Sequence, residues 1–184
     1  MAFFEPDKFF SRISHVDIER DLLACGLTHA LLDIDNTILT RDTRELPRDV
    51  GVWLARARDA GVTFCLVSNS TQSDTMGPLS ERLGIPLVMR SMKPLPQGYL
   101  RGMRVLGGTS KDTVMIGDQM ITDVVGAHLV GMKAYMVAPL AEKELPHTAL
   151  FRWMERVMLG EQKPEPVTPA TQQMLEDVAA ERVG

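Results

Sequence analysis

Two aspartates, Asp33 and Asp35, lie one residue apart at the end of a short apolar run near the start of the chain. On extended backbone, side chains two residues apart point to the same side, so the two carboxylates would face one space. One carboxylate could attack a phosphorus atom while the other moves a proton. A covalent aspartyl-phosphate would then divide phosphoester hydrolysis into two easier displacements. Taken alone, such a triplet more often marks a turn, so other parts of the chain must support this chemistry.

Polar residues also follow three later apolar runs. Ser68 could donate a hydrogen bond to a phosphoryl oxygen, and Lys93, held in a loop by Pro94, could neutralise phosphoryl charge. Asp118 could bind Mg²⁺ together with Asp33, because this cation prefers oxygen ligands and often takes one or two carboxylates. Each residue has an ordinary alternative as a turn residue, a helix cap or a solvated lysine. Their joint order along the chain favours a single site.

The elements that would position these residues alternate between strand-like and helix-like patterns. The predicted strands span residues 30–34, 62–67, 86–89, 113–116 and 133–137, and the predicted helices span residues 47–60, 78–83, 95–106 and 121–130. Strands that alternate with helices pair in parallel, which predicts an α/β fold with a three-layer, doubly wound (Rossmann-like) sheet of about five strands. Ligands of such sheets bind beyond the carboxyl ends of the strands, where the polar residues fall.

Length and charge restrict the remaining classes of function. The chain has 184 residues and a net charge of −4, which disfavours a nucleic-acid partner. It contains no apolar run long enough to span a membrane, and we expect a cytoplasmic protein. We expect residues 1–26 to pack on the core, residues 27–160 to form the catalytic domain, and residues 161–184 to form a linker and a weak helical tail.

As a set, these motifs resemble those of the haloacid dehalogenase superfamily of phosphatases. The resemblance rests on Asp33-Ile34-Asp35-Asn36-Thr37, on Ser68, on Lys93-Pro94, and on Gly117-Asp118 with Asp123. It extends over about residues 27–160. The segment 116–137 is especially similar to the class IIIA, YqeG-like branch, whose relatives include phosphatidylglycerophosphate phosphatases.

The resemblance implies a magnesium-dependent phosphatase with a role for each motif residue. Asp33 would be the nucleophile and a metal ligand, and Asp35 would be the acid/base and offer its backbone carbonyl to Mg²⁺. The phosphoryl group would be bound by Ser68, Asn69 and Lys93, the metal by Asp33, Asp35 and Asp118, and the site would be supported by Asp123 and Thr37.

The spacing of the motifs leaves no room for a cap domain. The segments from Asp35 to Ser68 and from Ser68 to Lys93 each accommodate only one helix and one strand. Members of the superfamily without a cap act on large or membrane-held phosphoesters, or form a lid by oligomerising. This implies a lipid-linked phosphate such as phosphatidylglycerophosphate. In the loop 40–46, Arg41 and Arg44 would either meet a second anionic group of the substrate or simply be solvated.

Three other interpretations stay open at this point. The substrate could be a soluble sugar or nucleotide phosphate. The chain could instead be a non-catalytic adaptor that binds a phosphorylated partner, or a receiver-like domain, although it retains all the acidic residues of a catalytic site. Peripheral membrane contact at the inner membrane face would involve the phenylalanines of residues 1–10 or the amphipathic segment 151–158, both of which could also pack on the domain itself.

Overall fold

The computed structural model describes residues 3–40, 43–71, 73–140 and 163–181, with the backbone alone for 73–75. Arg41 and the amphipathic segment 151–158 lie outside these residues. In chain order the strands are β1 (Lys8–Phe10), β2 (His29–Leu32), β3 (Thr63–Val67), β4 (Leu87–Val88), β5 (Thr113–Gly117) and β6 (Lys133–Val137). The helices are α1 (Arg48–Asp59), α2 (Ser73–Leu83), α3 (Pro96–Leu106), α4 (Gly126–Leu129) and α5 (Pro169–Ala180).

The six strands form one parallel sheet in the order β1-β6-β5-β2-β3-β4. The predicted doubly wound α/β fold is therefore confirmed. The sheet has one strand more than the predicted five, because Lys8–Phe10 pairs with the edge strand β6. Three residues are too few to show the alternation by which a strand is recognised in a sequence.

Alternate side chains of the strands pack on opposite faces of the sheet. In β5, Val114 and Ile116 join the cluster that contains Trp53 of α1, whereas Met115 joins the cluster that contains Tyr99 of α3. Burial on both faces explains why the central strands are almost entirely apolar. The result is a three-layer domain with helices packed on both faces of the sheet.

Helix α1 shows how the sequence specifies one of these layers. Its buried residues, Val50, Trp53, Leu54 and Ala57, recur at the spacing of a single helix face. The helix begins directly after a proline and is followed by Gly61, whose φ of 93° favours glycine. Its predicted bounds, residues 47–60, therefore agree closely with those observed.

Two helices differ from their predicted bounds. Helix α2 begins at Ser73 rather than at Pro78, and this proline lies inside the helix. The predicted helix 121–130 is a wide turn with π-type hydrogen bonds over Met120–Val125, followed by the short α4. Gly126 permits this arrangement, because a Cβ atom there would overlap the ring of Tyr99.

Described segments near both ends of the chain contact each other and the domain. Glu165 donates a backbone hydrogen bond of 2.7 Å to Phe9 of β1. Helix α5 then buries Met174 and Val178 in its contact with the domain, and Thr168 caps its start. Among the described residues, no helix is long and apolar enough to cross a membrane.

A buried carboxylate, Asp21, links the N-terminal segment to the sheet. It accepts hydrogen bonds from Lys8 Nζ at 2.6 Å and Arg20 Nε at 2.8 Å, and its backbone carbonyl accepts one from the Tyr135 hydroxyl at 2.6 Å. Burial acts to raise the pKa of Asp21, but the hydrogen bonds from Arg20 and Lys8 hold it below its usual value of 3.8. The ionised form therefore stabilises the fold.

We expect Asp21→Asn to lower the free energy of unfolding by about 2 kcal/mol at pH 7, because two charge-assisted hydrogen bonds are weakened. A lowered pKa in the folded state gives stability that is present above the unfolded value and is lost as the pH falls through the folded value. The difference in free energy of unfolding between Asp21→Asn and the wild-type protein should therefore become smaller below a pH of about 4. Urea denaturation at pH 7 and pH 3 measures it, with exposed Asp59→Asn as the control. A deficit of equal size at both pH values would contradict this assignment.

Candidate active site

The candidate site lies at the carboxyl edge of the sheet, between its two central strands. Asp33 directly follows β2, and its amide donates a hydrogen bond of 3.0 Å to Ile116 of β5. Asp118 directly follows β5. From β2 the chain proceeds to β3 on one side, whereas β5 lies on the other side. This is the topological switch point of the sheet, where doubly wound folds bind their ligands.

One buried lysine connects two of the predicted acidic residues. Lys93 Nζ lies 2.5 Å from Asp33 Oδ1 and 2.7 Å from Asp123 Oδ1, and its side chain is only 2% exposed. The lysine reaches this position from the loop between β4 and α3. The structure therefore brings together residues that lie 60 and 30 positions apart in the sequence.

Three carboxylates form the acidic part of the site. One carboxylate oxygen from each of Asp33, Asp118 and Asp123 can be chosen so that all lie within 4.8 Å of one another, and all three residues are buried. One lysine ammonium faces these carboxylates, so two negative charges would remain uncompensated if all were ionised. A divalent cation with a preference for oxygen ligands, such as Mg²⁺, fits this donor set in both charge and chemistry.

The ionisation of the site reflects burial and these neighbouring charges. Burial raises the pKa of the Asp33 carboxyl to about 6, a shift that Lys93 opposes and the charge of Asp123 reinforces. Burial acts to lower the pKa of Lys93, but the charges of Asp123 and Asp33 raise it above its usual value. The lysine is thus held as a cation within reach of Asp33, where it can also balance phosphoryl charge.

The segment after β5 is built around the carboxylate of Asp123. Its Oδ2 accepts a hydrogen bond of 3.0 Å from the amide of Gln119, and the amide of Asp123 donates one of 2.9 Å to the carbonyl of Gln119. A side chain on Gly117 would overlap this carboxylate. The glycine of the Gly-Asp motif is therefore required by close packing. Wide helical turns of this kind are frequent at functional sites.

Ser68 and Asn69 directly follow β3, the strand that pairs with β2. Ser68 is buried, and its Oγ accepts a hydrogen bond of 3.1 Å from the amide of Ser70. The Asn69 side chain donates a hydrogen bond of 3.0 Å to the Lys93 carbonyl, and its Oδ1 accepts bonds of 2.7 Å from the Lys93 amide and the Ser91 hydroxyl. These contacts show Asn69 fixing the loop that carries Lys93. Its predicted contact with phosphate stays a prediction.

The turn after β2 places Asp35 differently from the buried acids. Its side chain is 37% exposed, and Oδ1 lies 3.8 Å from Arg44 Nη2. Asn36 has a φ of 64°, and Thr37 is fully buried with no hydrogen-bond partner for its Oγ1 among the described residues. The carboxylate of Asp35 is thus outside the acidic cluster and accessible to a ligand. Its predicted backbone contact with a metal stays a prediction.

Sequence reasoning missed two residues that shape the site. Ser91 is fully buried against Asn69, and α3 approaches it so closely that a side chain on Gly98 would overlap it. The Tyr99 hydroxyl donates a hydrogen bond to the Thr122 carbonyl, which holds the segment between Asp118 and Asp123. No local pattern marks either residue, because both contacts join distant parts of the chain.

Known proteins share both the sequence pattern and the fold. The haloacid dehalogenase-like hydrolase family matches residues 7–131. The chain is 30% identical over 158 residues to the probable phosphatase YqeG of Bacillus subtilis (strain 168), which covers 86% of this chain and 91% of that protein. This match confirms the resemblance to the YqeG-like branch.

Solved structures support the fold at low sequence identity. An uncharacterised protein from Listeria monocytogenes serotype 4b superposes with a TM-score of 0.52 and 19% identity, over 65% of this chain and 85% of that one. The cobalt-bound deoxy-D-mannose-octulosonate 8-phosphate phosphatase of Haemophilus influenzae gives a TM-score of 0.50 and 16% identity, over 73% and 88%. The geometry of the acidic site, the family match and the similarity to YqeG agree, and the chain belongs to the haloacid dehalogenase-like hydrolase family.

Proposed function

We propose that this protein is a magnesium-dependent phosphomonoester hydrolase that acts through an aspartyl-phosphate on Asp33. The observation that carries the proposal is the buried network in which Lys93 contacts Asp33 and Asp123, with Asp118 in the same carboxylate cluster. A nucleophile, a fixed cation and a candidate metal site are thus adjacent. Phosphoryl transfer requires positioning and charge neutralisation above all, and this arrangement can provide both.

In the first step, a carboxylate oxygen of Asp33 forms a bond to phosphorus while the bond from phosphorus to the leaving oxygen breaks. Asp35, in its protonated form, transfers its proton to that oxygen, so the product leaves as an alcohol. In the second step, a water molecule attacks phosphorus, Asp35 accepts a proton from it, and the bond to Asp33 breaks. Inorganic phosphate is released and both aspartates return to their starting forms.

The other residues bind and orient the phosphoryl group. Lys93 stays protonated beside Asp33 and compensates negative charge on the phosphoryl oxygens. Ser68, and in our proposal Asn69, contribute hydrogen bonds from the neighbouring strand end, with Asp123 and Thr37 in support. Asp33, Asp118 and the backbone carbonyl of Asp35 would hold Mg²⁺, which supplies further charge neutralisation when bound.

Binding of Mg²⁺ should be measurable apart from turnover. At a concentration of about 100 times Kd, a ligand of the folded state adds about 2.7 kcal/mol to the free energy of unfolding. For a protein of this size, we expect Tm to rise by about 5–10 °C. Asp118→Asn should remove most of this shift in a thermal melt. Asp112→Asn should keep it, because Asp112 precedes β5 and therefore lies at the opposite end of that strand. An undiminished shift in Asp118→Asn would place the cation elsewhere.

The proposed substrate is a large or lipid-linked phosphomonoester, such as phosphatidylglycerophosphate. Between β2 and β4, the described chain contains only α1, β3, α2 and their connections, so these residues form no cap over the site. A site without a cap can accept a phosphate group that protrudes from a larger body. A soluble sugar or nucleotide phosphate is the alternative substrate class. Cytoplasmic location, peripheral membrane contact and oligomer formation stay predictions.

Phosphate release by the purified protein tests the proposal. The substrates are p-nitrophenyl phosphate, sugar and nucleotide phosphates, and phosphatidylglycerophosphate in detergent micelles, each with Mg²⁺ or with EDTA. We expect release that requires Mg²⁺ and is fastest with the lipid. Preference for a sugar or nucleotide phosphate would favour the alternative class. A folded protein that binds Mg²⁺ but releases no phosphate from any of them would favour a binding role.

A further inference from the structure

A cavity with a basic rim lies beside the candidate acid/base residue. It has a volume of about 280 Å³ and is lined by Leu39, Arg44, Pro78, Leu79 and Arg82. Leu39 and Leu79 are buried and supply apolar lining, whereas Arg44 is partly exposed and Arg82 is exposed. The cavity therefore offers apolar contact and positive charge to the same ligand.

Arg44 lies between this cavity and the catalytic edge. One of its guanidinium nitrogens, Nη2, is 3.8 Å from Asp35 Oδ1 and 3.7 Å from the sulfur of Met76. The arginine has a φ of 54°, a left-handed conformation that is unusual outside glycine, and its amide donates a hydrogen bond of 2.9 Å to Thr40. Unfavourable backbone conformations of this kind concentrate at ligand sites. A ligand of the cavity would thus lie next to Asp35.

Arg82 contributes a second positive charge from α2. Among the described residues, its guanidinium makes no hydrogen bond or ion pair, and no acidic residue lines the cavity with it. An arginine can bind a phosphate or carboxylate group with two parallel hydrogen bonds. The chain as a whole carries a net charge of −4, so this cavity is a local exception to its charge balance.

We propose that this cavity binds the leaving group of the substrate, and that Arg44 and Arg82 recognise a second anionic group on it. The inference deepens the proposed function and rests on it, because the leaving oxygen must lie near Asp35. The substrate class is then a phosphomonoester whose alcohol carries another negative charge next to an apolar portion, which would contact Leu39 and Leu79. Both a phospholipid and a soluble metabolite can present this chemistry.

A matched pair of esters tests the proposal. Propyl phosphate and 3-sulfopropyl phosphate differ only in a terminal anion that cannot itself be hydrolysed. We expect the wild-type protein to prefer the sulfonated ester in kcat/KM. We expect Arg82→Gln to reduce that preference by about tenfold, with partial recovery in Arg82→Lys. The exposed arginine of α3, Arg104, is the matched control, and Arg104→Gln should leave the preference unchanged.

Calorimetry separates this proposal from the proposed function. Binding of the two esters to Asp33→Asn, with and without Arg82→Gln, reports on the cavity whether or not turnover occurs. The wild-type protein could release no phosphate while the sulfonated ester still bound more tightly through Arg82. This result would overturn the proposed function but not the assignment of the cavity. Equal binding of both esters, or a preference that Arg82→Gln leaves intact, would overturn the assignment of the cavity.

A third ester identifies the source of the ligand. This ester is lipid-linked, carries a second anion and is presented in detergent micelles, and its kcat/KM is compared with that of 3-sulfopropyl phosphate. A kcat/KM value above that of 3-sulfopropyl phosphate, and sensitive to Arg82→Gln, would assign the cavity to a lipid headgroup. A lower value would assign it to a soluble compound. In either case, added salt should reduce the preference, because the arginines are accessible to solvent.

Discussion

Asp33→Asn is expected to lower phosphate release by at least about a thousandfold, because an amide cannot form the acyl phosphate through which turnover proceeds. Loss of a covalent nucleophile removes the whole two-step route and typically costs several orders of magnitude. The substitution keeps the shape of the side chain, and its carbonyl can still accept the hydrogen bond from Lys93. The measurement is kcat with p-nitrophenyl phosphate and Mg²⁺. Activity within tenfold of the wild-type value would contradict the role of Asp33.

The stability of the same variant distinguishes a lost nucleophile from a damaged fold. The pKa of Asp33 is raised to about 6, above its unfolded value. A raised pKa gives stability that is fully present below the unfolded value and is lost as the pH rises through the folded value. In EDTA, Asp33→Asn should therefore gain stability over the wild-type protein as the pH rises from about 4 to 7. Asp59→Asn, an exposed control, should show no such trend.

Lys93→Met is expected to produce the largest loss of stability among the site variants, about 3–5 kcal/mol at pH 7.5 without a divalent cation. The substitution removes the ammonium that contacts both Asp33 and Asp123, and the buried carboxylates then lack a compensating charge. Phosphate release should fall as well, because the phosphoryl group loses its fixed cation. Urea denaturation and kcat/KM report the two effects.

The pH dependence identifies charge as the cause of the Lys93→Met effect. As the pH falls to about 5, the raised pKa of Asp33 favours its neutral form, so the loss of stability should become smaller. Loss of packing alone would give the same deficit at both pH values. Lys133→Met, which removes an exposed lysine at the start of β6, is the matched control and should change stability by less than about 0.5 kcal/mol.

The sequence was sufficient to predict the central sheet and the convergence of Asp33 and Asp118 at one edge of it. Strand-like and helix-like patterns alternate, and Asp33, Ser68 and Asp118 each follow an apolar strand. Because parallel strands end at one edge of a sheet, the convergence of these residues was a consequence of the fold class. Proximity in space thus followed from spacing in the sequence.

The remaining features depend on contacts between distant residues. Strand β1 exists because its three residues pair with β6, and its sequence alone is too short to indicate this. Lys93 was predicted as a phosphate ligand, but its pairing with Asp123 depends on how the wide turn after β5 folds back. The cavity between Arg44 and Arg82 likewise requires the positions of two separate elements.

Chemical trapping of an acyl phosphate on Asp33 would identify this side chain as the nucleophile. Asp35→Asn should slow breakdown of the aspartyl-phosphate, because no carboxylate then accepts a proton from the attacking water. Hydroxylamine added during turnover with p-nitrophenyl phosphate should convert the acyl phosphate to a hydroxamate, which mass spectrometry of the digested protein can locate. We expect a hydroxamate at Asp33 that forms only in the presence of substrate. Turnover of the substrate with no label at Asp33, or with label at another residue, would contradict it.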